Sequence, residues 1–328
     1  MTQSADFGII VRTPGGPEAL EWSELTTTAP ARGEVLIAQR AVGVNFIDTY
    51  YRKGAYPWPI TPLIPGGEAA GIVEEVGEGV ADFKPGDRVA YTLPIGAYRS
   101  RRVVPAERLV KLPDAIDFEV AASMMLKGLT AQFLLTSVYA VKAGDAVLVH
   151  AAAGGVGLLI GQWLRAIGAV SIGTVGSADK AAIAKASGYT HVINYRTEDF
   201  PVQVKEITGG KGCAVVYDSV ANDTWRGSLK CLQLRGTFVC FGQSSGPITD
   251  FKISDLAAGG SLYATRPTLF DYIKTRAELT QRAADLFAKV ASGAVKAHIG
   301  LSLPLRDAAQ AHRELEARKT TGSTILLP

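Results

Sequence analysis

Short apolar runs separated by glycine, proline and aspartate dominate the chain from Val35 to Val110. Gly71-Ile72-Val73-Glu74-Glu75-Val76 is one such run, and Pro85-Gly86-Asp87-Arg88-Val89 shows the turn residues that separate them. This alternation is typical of strands joined by tight turns. The glycines of Gly66-Gly67 and Gly77-Glu78-Gly79 tolerate the positive φ angles of sharp corners. The pattern predicts a β-rich first domain, built as a small barrel.

From Phe118 onward the apolar residues recur at helical spacing, which predicts one helix from Phe118 and a second from Leu129 to Tyr139. Beyond Gly144 strands and helices alternate, as in a parallel sheet covered by helices. The predicted elements are strand Ala146 to His150, helix Val156 to Ile167, strand Val170 to Thr174, helix Asp179 to Ala186, and strands His191 to Asn194, Ala214 to Asp218 and Thr237 to Phe241. They indicate a doubly wound α/β fold.

The C-terminal part departs from this alternation. A long helix is predicted after Leu269, another opens at Pro304 and ends near Gly322, and Ser323 to Leu327 form a predicted strand. Because both ends of the chain carry segments outside the alternating pattern, the simplest architecture returns the C-terminal part to the first domain. We therefore predict a β-rich domain of residues 1–125, completed by 267–328, and a doubly wound domain of residues 126–266.

Composition narrows the class of protein without deciding its chemistry. A hydrophobic content of 47% in 328 residues is ample for packed cores, and a net charge of +3 creates no strong attraction to nucleic acid or membranes. No segment reaches the roughly 18 apolar residues of a membrane helix. Residues 1–10 resemble neither a signal peptide nor an anchor. Three cysteines without a shared motif, Cys213, Cys231 and Cys240, suit reduced thiols, so we expect a cytoplasmic protein.

A glycine-rich segment, Ala151 to Gly157, connects the first strand of the doubly wound domain with the helix that follows. Ala152, Gly154 and Gly157 occupy the three positions of the G-x-G-x-x-G dinucleotide motif, with alanine replacing the first glycine. A turn without side chains lets backbone N–H groups approach a pyrophosphate, and the helix N-terminus adds positive potential. The same glycines would also suit close packing of helix on strand. The surrounding strand–helix–strand pattern favours a dinucleotide.

The tip of the second strand, about 20 residues after the loop, distinguishes NAD from NADP. This strand ends in Ile172 to Ser177 without an acidic residue, and Lys180 follows one helical turn later. A carboxylate would repel a 2′-phosphate, whereas a hydroxyl, backbone amides and an ammonium stabilise it. Asp179 beside Lys180 weakens the preference. We predict NADPH as the cofactor.

Segments over nearly the whole chain carry a resemblance to one family. They are Gly15 to Glu18, Gly43 to Tyr50, Gly67 to Gly71, Leu126 to Thr130, Ala151 to Gly157, Val192 to Tyr195, Tyr217 to Val220, Phe241 to Gly246 and Ala264 to Pro267. In these segments the chain resembles the quinone oxidoreductases of the zeta-crystallin type, a zinc-free branch of the medium-chain dehydrogenase/reductase superfamily.

The resemblance implies an α/β protein with a GroES-like β-rich catalytic domain, a doubly wound Rossmann domain, bound NADPH and a homodimer joined mainly through the Rossmann domains. It also implies the cofactor positions. Those near the nicotinamide are Asn45, Phe46, Ile47, Asp48, Thr49 and Thr130; those at the pyrophosphate are Gly154, Gly155, Val156 and Gly157; those at the adenosine phosphate are Ser177, Lys180 and Tyr195; further contacts are Gly176, Phe241, Gly242, Ser244, Thr265, Arg266 and Arg318.

Neither a catalytic metal nor a covalent hydrolytic mechanism is expected. Zinc-dependent members of the superfamily carry a cysteine after Gly-Val and a histidine within Gly-His-Glu, where this sequence has Asn45 and Gly67. The four histidines are scattered and lack acidic partners at ligand spacing. No G-x-S-x-G elbow and no Cys–His pairing supports a nucleophile.

Hydride transfer requires the protein to place the nicotinamide against an acceptor and to donate hydrogen bonds to the oxygen that gains charge. Tyr50 and Tyr56 are the candidate donors or stacking partners, although tyrosines near Pro57 and Pro59 would also pack an ordinary loop. Asn45 does not titrate and is expected to orient cofactor or acceptor. We predict small quinones as acceptors. An enone or alkenal reductase stays open as the alternative, because pocket shape sets the acceptor.

An RNA-binding role is the second alternative, since some members of the resembled family bind single-stranded RNA. The densest basic cluster, Arg99-Ser100-Arg101-Arg102, has only Tyr91 and Tyr98 close by in sequence. Single-stranded nucleic acid is normally bound by a continuous basic groove with several stacking aromatics. We therefore expect no nucleic acid partner.

Overall fold

The computed structural model describes residues 6–328, and the chain forms two compact units. Unit 1 comprises Met1–Lys127, Thr275–Ala291 and Ala297–Pro328, and unit 2 comprises Gly128–Lys274 and Ser292–Lys296. The boundaries predicted after residues 125 and 266 differ from this division. Residues 1–5, which belong to the segment considered above for a signal peptide or anchor, lie outside the described residues.

The elements are numbered in chain order. The strands are β1 (Asp6–Ile10), β2 (Glu21–Leu25), β3 (Glu34–Val44), β4 (Glu68–Val76), β5 (Arg88–Thr92), β6 (Arg101–Pro105), β7 (Leu109–Lys111), β8 (Ala146–Val149), β9 (Val170–Val175), β10 (His191–Asn194), β11 (Cys213–Asp218), β12 (Leu232–Cys240), β13 (Tyr263–Thr265), β14 (Ile299–Pro304) and β15 (Ser323–Leu327). The helices are α1 (Phe46–Arg52), α2 (Phe118–Phe133), α3 (Gly155–Ile167), α4 (Ala178–Ala186), α5 (Phe200–Ile207), α6 (Trp225–Lys230), α7 (Ile253–Ala258), α8 (Leu269–Tyr272), α9 (Arg276–Ala291) and α10 (Ala308–Glu316).

Unit 1 is built around one mostly antiparallel sheet. Its strands follow the order β14-β15-β3-β4-β5-β7, and β6 also pairs with β3. Strand β15 runs antiparallel to β3, with Thr324 opposite Val44, so the C-terminal segment joins the sheet formed by the first part of the chain. The long central strand β3 buries Val35, Ile37 and Val42 in the core of this unit. Burial of these apolar side chains is the main force that holds the returning segment in place.

Unit 2 contains a parallel sheet with the order β10-β9-β8-β11-β12-β13. Numbered within the unit, this is 3-2-1-4-5-6, the strand order of a doubly wound dinucleotide-binding fold. The strand centres supply the core through Leu148, Ile172, Ile193, Val216 and Phe238. The chain reverses its direction of winding between β8 and β11, and open sheets of this kind bind ligands at the carboxyl ends of the strands beside that point.

Two helical predictions differ from the structure. The helices predicted from Phe118 and from Leu129 form one continuous helix, α2, followed by a π-helical turn at Leu134–Val138. Gly128 lies inside α2 and does not end it, because a single glycine lowers helix propensity only modestly. The long helix predicted after Leu269 is interrupted between α8 and α9. Within unit 2, Tyr272 of α8 stacks on Phe133, with ring centroids 4.5 Å apart, which fixes the short helix separately.

Further differences concern the ends of strands and helices. Pro304, where the last helix was predicted to open, is the final residue of β14, and α10 begins at Ala308. Strand β12 begins at Leu232, five residues before the predicted strand start at Thr237, and α10 ends at Glu316, before the predicted end near Gly322. No helix among residues 6–328 is long and apolar enough to cross a membrane.

Candidate active site

The cofactor positions predicted in unit 2 follow the carboxyl ends of its parallel strands, with Thr130 on α2 as the exception. Gly154 to Gly157 follow β8, Gly176 and Ser177 follow β9, and Tyr195 follows β10. Phe241, Gly242 and Ser244 come after β12, and Thr265 and Arg266 stand at the end of β13. Because the strands are parallel, these ends lie along one edge of the sheet.

The glycine-rich loop presents unpaired backbone donors at the start of α3. Gly154 is the N-cap of this helix, and no side chain caps its first turn. The N–H groups of the first helical residues have no partner inside a helix, and here they belong to Gly155, Val156 and Gly157. None of these residues carries a polar side chain. The loop therefore offers N–H groups and the positive end of a helix dipole to an anion.

Gly157 is required by the packing of this loop. A Cβ atom at this position would lie 2.4 Å from the carbonyl oxygen of Ala151 and 2.8 Å from Cα of Ala152. Both are backbone atoms, so a side chain would force the loop and helix apart. The close approach aligns the first turn of α3 with the end of β8.

The tip of β9 carries no carboxylate side chain. Ser177 caps α4, where its hydroxyl accepts a hydrogen bond from the backbone N–H of Lys180 at 3.3 Å. Tyr195 lies against Gly176: a Cβ there would lie 2.6 Å from the tyrosine hydroxyl and 3.6 Å from Nε of Arg196. The guanidinium of Arg196 is thus a second cationic group near this tip. Arg196 is not among the cofactor positions predicted from the sequence, although it directly follows Tyr195.

The loops after β11 and β12 are fixed to one another. The N–H of Phe241 donates to the carbonyl of Asp218 at 2.8 Å, and the N–H of Ser244 donates to that of Ser219 at 3.1 Å. A Cβ on Gly242 would lie 2.7 Å from the Ser219 carbonyl oxygen. The backbone after β12 therefore passes directly over the end of β11.

A buried network of polar side chains connects the strand ends that precede these loops. The two ring nitrogens of His150, which directly precedes the glycine loop, contact the hydroxyls of Thr174 at 2.8 Å and Ser228 at 2.9 Å. The Ser228 hydroxyl in turn donates to Asp218 at 2.9 Å. Burial lowers the pKa of His150, and the nearby Asp218 carboxylate opposes that shift. His150 is therefore a structural link between β8, β9 and β11, a role that its isolated position in the sequence did not reveal.

In unit 1, the predicted segment Asn45 to Thr49 begins α1. Asn45 is the N-cap, and the Asp48 carboxylate accepts a hydrogen bond from its backbone N–H at 2.8 Å. The side chain of Asn45 donates through Nδ2 to Oε1 of Glu68 at 2.8 Å. Phe46, Ile47 and Thr49 follow in the first turns of the helix. Asn45 is thus held in one orientation by a buried carboxylate.

Glu68 is fully buried and is surrounded by donors. Its Oε1 accepts from Nζ of Lys127 at 2.7 Å in addition to Asn45, and its Oε2 accepts from the backbone N–H of Leu126 at 2.6 Å. Lys127 is almost fully buried as well. Both residues lie in segments that carry the family resemblance, but a pattern of residues does not show which distant charges pair.

A chain of buried hydrogen bonds leads from Asp48 to the surface of unit 1. Arg52 only donates, so His312 accepts its Nη1–H through Nδ1 at 2.9 Å and carries its own proton on Nε2. That Nε2–H donates to the Tyr98 hydroxyl at 2.9 Å, which donates to Oδ2 of Asp48 at 3.1 Å. Arg52 also makes two bonds to Glu316, each of 2.9 Å. The direction of every bond in the chain is therefore determined.

The protonation states of these hydrogen-bonded side chains follow from their surroundings. Burial raises the pKa of Asp48 to about 7. Burial, reinforced by the charges of Arg52 and Lys53, lowers the pKa of His312 to about 3. Burial tends to raise the pKa of Glu316, but hydrogen bonds from Lys53 and Arg52 outweigh it and lower that pKa. His312 is therefore neutral at physiological pH, as its hydrogen bonds require.

Tyr50 and Tyr56 lie together in the structure. Their ring centroids are 5.5 Å apart at an interplanar angle of 62°, and Tyr51 makes a second edge contact with Tyr56 at 5.4 Å. The aromatic cluster extends from α1 into the loop that follows it. Arg318 is exposed just after α10, with a positive φ of 57° and its N–H bonded to the carbonyl of Leu315 at 3.1 Å.

The arginines of the basic cluster are engaged within unit 1. Arg99 pairs with Asp6, and Arg101 pairs with Glu74 at 2.6 Å. Arg102 is buried and donates to the carbonyls of Pro94 and Ile95, each at 2.8 Å. Each of these arginines is thus bound to a carboxylate or to backbone carbonyls of its own unit.

The donors around Asn45 do not fit a zinc ion. Gly67 offers no side chain, the amide nitrogen of Asn45 points to Glu68, and that carboxylate is already occupied by an ammonium group. Zinc prefers thiolate, imidazole and carboxylate ligands with free electron pairs. Across residues 6–328, no group of three or more His, Cys, Asp and Glu residues is arranged to hold a metal ion.

Comparison with protein families identifies the class. The profile described as "Alcohol dehydrogenase GroES-like domain" matches residues 31–114, and the one described as "Zinc-binding dehydrogenase" matches residues 155–288. The first match falls in the β-rich sheet of unit 1, and the second covers most of the parallel sheet of unit 2. The predicted combination of a GroES-like domain with a doubly wound Rossmann domain is confirmed.

The relatives narrow this class. A quinone oxidoreductase of Pseudomonas aeruginosa is 50% identical over 315 residues, which cover 96% of this chain and 97% of the relative. The crystal structure of Escherichia coli quinone oxidoreductase complexed with NADPH has a TM-score of 0.96 at 50% identity, covering 98% of this chain and 100% of that one. A 2-haloacrylate reductase of Burkholderia is 45% identical over 327 residues, or 97% of this chain and 98% of the relative. The chain belongs to the quinone oxidoreductase family, as the resemblance implied.

Proposed function

We propose that this protein is an NADPH-dependent quinone oxidoreductase that passes reducing equivalents to small quinones without a metal. The observation that carries the proposal is the uncapped first turn of α3, at the switch point of a 3-2-1-4-5-6 parallel sheet. It occurs in a chain that is 50% identical, over nearly its full length, to a quinone oxidoreductase.

The residues of unit 2 fit NADPH. Gly155, Val156 and Gly157 would hold the pyrophosphate through their N–H groups. Ser177, Lys180 and Tyr195 would hold the 2′-phosphate beyond β9, where the strand tip itself carries no carboxylate. Asp179 in the first turn of α4 weakens this preference. Gly176, Phe241, Gly242, Ser244, Thr265 and Arg266 are proposed as further contacts along the same sheet edge, with Thr130 on α2 and Arg318 after α10 completing the set. When bound, NADPH supplies a hydride.

Unit 1 supplies the residues proposed to act on the acceptor. Asn45 would orient nicotinamide or acceptor, because its hydrogen bond to Glu68 fixes the position of its side-chain amide. Phe46, Ile47, Asp48 and Thr49 are proposed to line the nicotinamide site from α1. Tyr50 or Tyr56 would donate a hydrogen bond or stack on the acceptor ring. A quinone is already electron-poor, so positioning and a few donors suffice for its reduction.

A reductase acting on a conjugated carbon–carbon double bond is the second candidate. It is favoured by the 45% identity to a 2-haloacrylate reductase over 97% of this chain. Such an enzyme would use the same hydride donor, so the acceptor pocket alone would separate the two functions.

We further propose a cytoplasmic homodimer formed through unit 2. Of the last two strands of this unit, β12 pairs with β11 on one side and with β13 on the other, so it has no free edge for a second copy. Strand β13 is one of the two edges of the sheet, with Tyr263 62% exposed, and Leu234 of β12 is 74% exposed. An unprotected edge with exposed apolar residues favours pairing with a second copy across a two-fold axis.

The test is a steady-state panel of quinones, enones, 2-haloacrylates, aldehydes and alcohols with NADPH and with NADH. We expect the highest kcat/KM with quinones and NADPH. Radical detection in the same assays distinguishes hydride transfer from single-electron transfer. If an enone or a 2-haloacrylate gives the highest kcat/KM and quinones are inert, the second candidate replaces the first.

A further inference from the structure

The ammonium group of Lys127 uses only part of its hydrogen-bonding capacity. Its side chain is 8% exposed, and Nζ donates to Oε1 of Glu68 at 2.7 Å. A lysine ammonium has three N–H donors. The other two have no partner among the residues that the structure describes, so a nearly buried cation keeps two donors for another acceptor.

The Lys127 ammonium is held next to Asn45. Oε1 of Glu68 receives both the lysine Nζ and the amide nitrogen of Asn45, at 2.7 and 2.8 Å. Oε2 is fixed by the backbone N–H of Leu126 at 2.6 Å. The Glu68 carboxylate thus fixes the positions of two donors, the charged Lys127 ammonium and the neutral Asn45 amide.

A purely structural role explains this arrangement poorly. Burying an ion pair costs more free energy than burying apolar residues of the same volume. A buried donor without an acceptor adds a further penalty. An oxygen atom of a ligand, placed against the two remaining N–H groups, would satisfy them. The nearby Asp48 carboxyl has a pKa raised by burial to about 7. Near neutral pH it is therefore only partly ionised, and it attracts the Lys127 ammonium less strongly than a fully ionised carboxylate would.

We propose that Lys127 is a catalytic residue that donates a hydrogen bond to the acceptor oxygen which becomes negative during reduction. This rests on the proposed function. The acceptor gains a hydride, two electrons and one proton, from NADPH, which becomes NADP⁺. The electron pair displaced from the quinone π system collects on an oxygen, giving a quinol anion that later takes one proton from water. The positive charge of Lys127 stabilises that anion, and Lys127 itself neither gains nor loses a proton over the cycle.

A fixed cation of this kind acts mainly on the transition state. A donor placed where charge develops is worth far more in a dry site than in water, because it need not reorganise during the reaction. The quinone ground state carries no net charge and gains less from the same contact. Loss of Lys127 should therefore lower kcat more than it raises KM.

The first experiment separates charge stabilisation from folding. In the double variant Lys127→Met, Glu68→Gln both charges are removed together, so no buried charge is left unpaired. The side-chain amide at position 68 still accepts one hydrogen bond through its single oxygen, from Asn45 or from the backbone N–H of Leu126. We expect kcat/KM for 1,4-benzoquinone to fall by about 100-fold, with the NADPH dissociation constant changed by less than about threefold. Lys127→Arg keeps charged donors and should recover part of the loss. The matched control is Lys111→Met, which removes an exposed lysine paired with Asp87 at 3.5 Å.

The second experiment reports on the anion directly and needs no turnover. 4-Nitrophenol is titrated by its absorbance in the presence of the enzyme and NADP⁺. We expect the bound phenol to ionise at lower pH than free nitrophenol in the wild-type protein, and the difference to disappear in the double variant. If quinones are not reduced but this shift depends on Lys127, the proposed function fails and the anion site remains. A wild-type titration identical to that of free nitrophenol, or a double variant with wild-type kcat/KM, overturns the assignment.

Discussion

Substitution of Gly157 by alanine tests the contribution of the glycine loop most sharply. The added Cβ would lie 2.4 Å from the Ala151 carbonyl oxygen and 2.8 Å from Cα of Ala152, whereas favourable contacts of carbon lie near ~3.5 Å. The loop and α3 must therefore separate by about 1 Å. Such overpacking lowers the free energy of unfolding by roughly 1–3 kcal/mol. It also displaces the N–H groups proposed to hold the pyrophosphate, so NADPH affinity should fall by about tenfold or more.

The matched control is Gly154→Ala in the same loop. There the new Cβ would approach the Ala151 oxygen only to 3.2 Å, and the backbone φ of −80° suits alanine. Both variants are measured by urea unfolding and by the quenching of tryptophan fluorescence on NADPH addition. Gly157→Ala should be the more damaging in both assays. Wild-type stability and NADPH affinity in Gly157→Ala, or a larger loss of either in Gly154→Ala, would contradict the proposed role of the glycine loop.

The remaining predictions concern specificity, metal, assembly and pH. NADPH should bind more tightly than NADH, and Lys180→Ala should narrow the gap by roughly 1–3 kcal/mol; equal affinities in the wild type would contradict this. Activity should survive exhaustive chelation, and stoichiometric zinc whose removal abolishes activity would show the reverse. Sedimentation should give a dimer mass at micromolar concentration, weakened by Tyr263→Asp, and a monomeric wild type would refute the interface. Because the pKa of His312 is lowered from 6.5 to about 3, the unfolded chain takes up a proton first as pH falls through this range, and stability declines. His312→Gln should flatten that decline in urea unfolding measured against pH, and an unchanged slope would exclude His312 as its source.

Much of the fold could be predicted because local periodicity records it. The alternation beyond Gly144 gives the strands of unit 2, and the turn residues between Val35 and Val110 give the β-rich sheet. The ends of the helices could be predicted less well from the sequence. Continuous helix α2 covers a glycine that local propensity treats as a weak point, and α8 is fixed by the stacking of Tyr272 on Phe133, a contact between residues far apart in sequence. Tertiary packing decides such cases.

The candidate site also combines features that the sequence predicts with contacts that it does not. The glycine loop and the acid-free tip of β9 are local features, so Gly154, Gly157 and Ser177 could be proposed from spacing alone. The network of Asp48, Tyr98, His312 and Arg52 joins residues up to 260 positions apart, and no periodicity indicates that they meet. Burial of Lys127 against Glu68 is likewise a property of the folded sheet and of α2 together. The identity of a charged residue is visible in the sequence, but its partner is not.

The most direct test of the central claim is a comparison of two acceptors under identical conditions. The kcat/KM for 1,4-benzoquinone and for 2-chloroacrylate is measured with NADPH, after chelation and with subtraction of the uncatalysed rate. An NADPH-dependent quinone oxidoreductase should reduce the quinone with the higher kcat/KM and lose most of that activity when NADH replaces NADPH. Faster reduction of 2-chloroacrylate, with no catalysed oxidation of NADPH by the quinone, would contradict the account.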